Sequence, residues 1–277
     1  MTTEIQLGNS CPIECFYCCR IFMFFCDNVL MGLLFLAVPE PVAFYPLNAR
    51  YKAAEKENRQ PDGLLGDVAI TNGPYKEPGG AYMFYGTVSS YIEFLNKEGL
   101  DTRYSISLMC WVEPGGQGGP LFSYGVPNWR VHMGIVGGKL FIGIVERRSF
   151  NKLASVTTPE VLSLGKWVHV AASYDHSSGS SSLYINGHLK ASHNIGRGYQ
   201  IATNTQKVRM GSKSGRDENF KGKIAEIKVY DVALNEAQIQ TLIRQGSCTF
   251  PRICVSLPSS LIPLTIETPV IEQARKR

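Results

Sequence analysis

Between positions 207 and 228 the chain carries Lys207, Arg209, Lys213, Arg216, Lys221, Lys223 and Lys228 against only Asp217, Glu218 and Glu226. This local excess supplies most of the net charge of +5. Clustered cations attract sulfated or otherwise anionic polymers. Lys207, Arg209, Lys213, Arg216, Lys221 and Lys223 are therefore a candidate ligand-binding set. The competing reading is a solvated strand and loop, which accounts for most charge runs. Oxygen donors form a second group. Asp175 and Asn186, and again Asp217 and Asn219, fall at strand-to-loop corners where calcium could be held. Asp and Asn are equally favoured at such corners by turn geometry, with no metal at all.

Catalytic chemistry finds less support. Retaining hydrolysis of a glycosidic bond needs two carboxylates about 5 Å apart across one cleft. On a strand that requirement appears as Glu-x-Asp-x-x-Glu, and no such run exists. Glu226 and Asp231 are five positions apart, an odd spacing that puts them on opposite faces of a regular strand. His169 alternates with core residues, and His176, His188 and His193 lie at loops or strand ends without paired zinc spacing. A hydrolase with unusual carboxylates remains the alternative to a binding module. A remoter one is carried by Cys11, Cys15 and Cys18. Their spacing resembles the loop that holds an iron–sulfur cluster in radical S-adenosylmethionine enzymes. That chemistry needs alternating strands and helices after the loop. An apolar segment and many strands follow instead, so lipidated or unpaired cysteines are the other reading.

The elements that would position these groups are strands. Residues 165–187 alternate with period 2: Trp167, His169, Ala171 and Ser173 point one way, Val168, Val170, Ala172 and Tyr174 the other. A Ser/Gly-rich turn and a returning Leu183-Tyr184-Ile185 follow, closed by Asn186-Gly187, a strong hairpin dipeptide. Residues 104–113 alternate as cleanly. They place Cys110 on an apolar face as a buried structural thiol. About a dozen such segments are legible, among them 42–47, 67–71, 81–86, 89–95, 121–124, 129–136, 139–146, 189–194, 207–211 and 223–231. The segments 81–86 and 89–95 read as a strand pair, and 48–66 as a solvated loop or short helix. So many strands imply two packed sheets, with Trp111 and Trp167 at least partly buried. Asn235, Gln238 and Gly246 mark a short C-terminal helix that Gly246 ends. The 27 glycines and 15 prolines suit this turn-rich, all-β class.

Three regions follow. Residues 1–40 are a Cys-rich and apolar segment. The run 21–38 reads as a signal peptide or signal anchor, or as a misassigned start ahead of Met23. Residues 41–246 are the β domain. Residues 247–277, rich in Pro, Ser and Thr, read as a linker, a stalk or the torn edge of a longer product. Cys248 and Cys254 flank Pro251 and pair if the domain is secreted. The apolar run makes the chain secreted or membrane-anchored through 21–38, which would keep it apart from nucleic acid.

The segments Ser105-Ile106-Ser107-Leu108-Met109-Cys110-Trp111-Val112, Lys166-Trp167-Val168-His169-Val170-Ala171, Leu183-Tyr184-Ile185-Asn186-Gly187 and the run from Phe220 to Leu234 resemble the laminin-G-like, concanavalin A-type jelly roll, including its pentraxin-like branch. They occur in that family's order over roughly residues 41–245. Ala225 departs from the pattern, which often has an acidic residue before Glu226. The resemblance implies an antiparallel jelly-roll β-sandwich used as an extracellular, non-catalytic recognition or adhesion module. Its expected ligands are a glycan, a sulfated polysaccharide or an extracellular protein, met at the rim loops, sometimes through calcium.

Overall fold

The computed structural model describes residues 38–97, 99–125, 130–212 and 219–248. Fifteen strands and one helix follow in chain order: β1 (Ala43–Tyr45), β2 (Leu64–Leu65), β3 (Val68–Thr71), β4 (Ala81–Tyr85), β5 (Ile92–Leu95), β6 (Ile106–Pro114), β7 (Gly119–Tyr124), β8 (His132–Val136), β9 (Lys139–Val145), β10 (Lys152–Val161), β11 (Val168–Tyr174), β12 (Ser180–Ile185), β13 (His188–Asn194), β14 (Lys207–Met210), β15 (Lys221–Tyr230) and α1 (Glu236–Cys248). All pairings between them are antiparallel. One sheet runs β13-β12-β11-β6-β15-β4-β3, with β1 added on β15. The other runs β10-β9-β8-β7-β14-β5-β2. Neighbours distant in sequence make this a jelly-roll sandwich.

Period-2 alternation builds the core. On β6 and β11 the residues Ile106, Leu108, Cys110, Val112, Val170, Ala172 and Tyr174 face inward and are buried. They meet Phe94, Phe122, Tyr124, Met133, Ile142 and Val208 of the second sheet. Cys110 is a free, buried thiol, and burial raises its pKa far above the ordinary range. It is a packing residue rather than a nucleophile. Trp111 and Trp167 are half-buried. The opposite face of β6, β11 and β15 is covered by α1, through Met109, Ala171, Tyr184, Tyr230, Leu234, Ile239 and Leu242. The helix begins with a reciprocal cap: the Gln238 N–H donates to Asn235 Oδ1 and the Asn235 N–H to Gln238 Oε1, each at 3.0 Å. It runs past Gly246 to Cys248, so the glycine does not end it.

Two expectations need correction, and one strand had no expectation at all. Segments 81–86 and 89–95 do not pair. β4 lies in the first sheet against β3 and β15, and β5 in the second against β14 and β2. Phe84 on one and Ile92 and Phe94 on the other fill the same core from opposite sides. The chain between them is therefore a corner from sheet to sheet. Residues 48–66 are no solvated loop throughout. Ala53 and Glu55 are buried, and the Glu55 carboxylate accepts the N–H groups of Phe44, Glu57 and Arg59 at 2.9, 3.0 and 2.7 Å. Finally, β10 carries almost no alternating apolar signal. It is an edge strand bonded only to β9, with Val156 in the core, and Pro159 is tolerated at such an edge. Residues 21–37 of the apolar segment 21–38, with Cys11, Cys15, Cys18 and Cys254, lie outside the described residues. Among the described residues no helix is long and apolar enough to cross a membrane.

Candidate functional site

The four described cations of the set do not form one surface. Lys207 and Arg209 are on β14 in the second sheet, while Lys221 and Lys223 are on β15 in the first. Lys213, Arg216 and Asp217 lie outside the described residues. Lys207 Nζ sits 2.8 Å from Glu93 Oε1, and Arg209 closes on Glu93 Oε2. The Arg209 guanidinium also lies 4.1 Å from the centre of the Tyr91 ring. Burial alone would raise the Glu93 carboxyl. The hydrogen bonds and charges of Lys207 and Arg209 outweigh it and hold the group below the usual range. Lys223 is paired with Glu113 at 2.9 Å. Of the described members only Lys221 is exposed without an ion pair to a described carboxylate. Charge counted along the sequence missed this because Glu93 and Glu113 arrive from strands more than 100 positions away.

The corner oxygens separate as well. Asp175 follows β11 and Asn186 follows β12, at opposite ends of that hairpin. The Asp175 carboxylate already accepts bonds from the N–H and hydroxyl groups of Ser177 and Ser178. Burial would raise its pKa, but these donors, Ser178 foremost, lower it instead. Asn186 has φ of 50° and its Oδ1 accepts the His169 N–H at 3.0 Å. Both residues stabilise turns, and they do not fit one calcium site. Asn219 Oδ1 is buried and has no hydrogen-bond partner among the described residues.

Among the described residues, one recess lies where the two sheets meet along β10, β12 and β13. Its volume is about 370 Å³, within the roughly 300–1,000 Å³ of small-molecule sites. Leu162, Val168 and Ile185 contribute apolar lining, and Leu162 and Ile185 are buried. Trp167, Lys166, His188, Lys190, Glu160 and Asn186 supply the aromatic and polar lining. Gly165, at φ +67°, turns the chain into β11, and its N–H bonds Pro114 O at 2.8 Å. That turn sets Lys166 and Trp167 at the mouth. Lys190 Nζ is 2.9 Å from Glu160 Oε1, which ties β13 to β10. His188 Nδ1 is 3.1 Å from Glu236 Oε1 at the start of α1. Trp167 was expected only as a half-buried sheet residue. The signal for its second role was its place just after a glycine turn beside a lysine.

The two antiparallel sheets and their strand orders place the domain among the jelly-roll β-sandwiches. The family profile described as the concanavalin A-like lectin/glucanases superfamily (Laminin_G_3) matches residues 86–240, more than half of the chain. The chain belongs to that family. It is 30% identical over 137 residues to the pentraxin-related protein PTX3 of Mus musculus, a match covering 46% of this chain and 35% of that protein. The chain thus spans about a third of the length of this relative. Among solved structures, the binding domain of Paraclostridial Mosquitocidal Protein 1 superposes with a TM-score of 0.62 at 16% identity, over 74% of this chain and 52% of that one. Domain 4 of AbnA, a GH43 extracellular arabinanase of Geobacillus stearothermophilus solved in complex with arabinotriose, gives 0.55 at 22% identity, over 73% and 98%. At these identities the two structures share the fold.

Proposed function

We propose that this domain is a non-catalytic, extracellular recognition module that takes a saccharide in the cleft beside Trp167. The observation that carries this is the cleft itself: a half-buried indole, apolar lining and a polar rim in one recess. Sugar rings present an apolar C–H face and a polar edge, which such a lining complements. The arabinanase domain, solved with arabinotriose, is a precedent for this fold beside a sugar chain.

The carboxylates favour binding over hydrolysis. Glu93 is clamped by two cations on the second sheet. Glu226 is on the first sheet, where burial raises its pKa ahead of the opposing pull of Lys228. A pair about 5 Å apart across a cleft is what hydrolysis needs, and these two serve opposite layers. In the recess itself Glu160 is paired with Lys190.

The test is a glycan array probed with the full chain, with calcium and with chelator, and with Trp167→Ala. The substitution should weaken the leading hits at least about tenfold, equivalent to about 1.4 kcal/mol of lost contact. Array binding unchanged in Trp167→Ala would sink the assignment of the cleft. Shortening of a bound glycan would overturn the non-catalytic reading.

A further inference from the structure

We propose that the cleft selects a single carboxylate-bearing sugar residue, held by the Lys166 ammonium while its ring lies on Trp167. This rests on the saccharide reading above and names the substrate class.

The charges around the recess single out Lys166. Lys190 is taken by Glu160 at 2.9 Å and His188 by Glu236 at 3.1 Å. Gln240 Nε2 adds a bond to the same Glu236 oxygen at 3.2 Å. Lys166 is exposed, lines the recess, and pairs with none of the described carboxylates. It is thus the lining cation left to a ligand among the described residues. One ammonium beside an aromatic wall matches one anionic group on a sugar ring. A neutral sugar would cover this charge without replacing its water. A polysulfated chain would crowd several negative charges against Glu160 and Glu236, and like charges held close cost affinity. The volume of about 370 Å³ suits a sugar residue or two rather than a longer segment. The bond is ammonium to carboxylate, so it needs no calcium.

The experiment uses the full chain and three probes, the methyl glycosides of glucuronic, galacturonic and N-acetylneuraminic acid, each beside its own methyl ester. Esterification removes the charge and leaves the ring. Binding is read from the Trp167 indole N–H resonance, assigned with Trp167→Phe, at low salt with chelator present. At least one free acid should bind fivefold or more tightly than its ester. Lys166→Gln should bring that acid down to the level of the ester and leave the ester unchanged, and Lys166→Arg should restore the preference. Because Lys166 is exposed, resonances other than those of its immediate neighbours should not move in either variant. Equal binding of acid and ester would overturn the acid preference and leave the saccharide reading standing. A preference that persists in Lys166→Gln, or appears only when calcium replaces chelator, would overturn the assignment to Lys166. Tighter binding of glucose 6-sulfate than of any of the acids would overturn the carboxylate class. No response of Trp167 to any probe, and no array hit, would remove the saccharide reading and this inference with it.

Discussion

His169 should make the fold sensitive to mild acid. Its side chain is 3% exposed and stands edge-on to Trp111, with ring centres 5.3 Å apart. Its Nδ1 has no hydrogen-bond partner among the described residues. Burial first, and the Lys228 charge second, push the imidazole from 6.5 down to about 3. The folded state therefore holds it neutral, while an unfolded chain binds a proton below about 6.5. Stability from this group is fully present above pH 6.5 and is lost as pH falls toward 3. Linkage with these two values gives a loss of about 2 kcal/mol between pH 7 and pH 5. His169→Phe keeps a ring against Trp111 and cannot titrate. Its main-chain bonds to Asn186, at 3.0 and 2.8 Å, are independent of the side chain. Glu226 acts in the opposite direction, because burial raises its pKa and its contribution fades as pH rises. The comparison that isolates His169 is thus the difference between the pH dependences of the two proteins. Urea unfolding at pH 7 and pH 5 should show wild type losing about 2 kcal/mol more than His169→Phe. Equal losses, within about 0.5 kcal/mol, would mean that the histidine is charged or solvated in the folded state and that the outer face of the sheet is open there.

Other substitutions test the packing directly. Arg209→Glu places a second carboxylate against Glu93 and should cost about 3–5 kcal/mol by denaturant unfolding; an unchanged midpoint would return Arg209 to the surface role that charge clustering suggests. Gly211→Ala combines φ of +82° with a Cβ only 2.7 Å from Ser90 O, and should cost about 2–4 kcal/mol. Gly137→Ala, at φ +56° with nothing within 4 Å of its Cβ, should cost visibly less in the same assay.

The alternation in residues 104–113 and 165–187 determines an antiparallel sandwich by itself. Each such strand shows its buried face as every second side chain, and β6 and β11 fold as that pattern requires. The reciprocal Asn235–Gln238 cap is equally local and equally legible. Tertiary structure alone decided which sheet each strand joins. A corner and a hairpin look alike in sequence, so β4 and β5 part despite their proximity. Edge strand β10 buries too little to leave a period. The candidate site shows the same division. Residue types displayed the cations of 207–228, but whether a cation is free depends on partners that the fold brings from far away. Glu93 and Glu113 neutralise Lys207, Arg209 and Lys223, whereas Lys166 beside Trp167 pairs with no carboxylate among the described residues. Charge and aromatic content belong to the chain; desolvation and pairing belong to the packed molecule, and these are what turn a lysine after a glycine turn into the rim of a cleft.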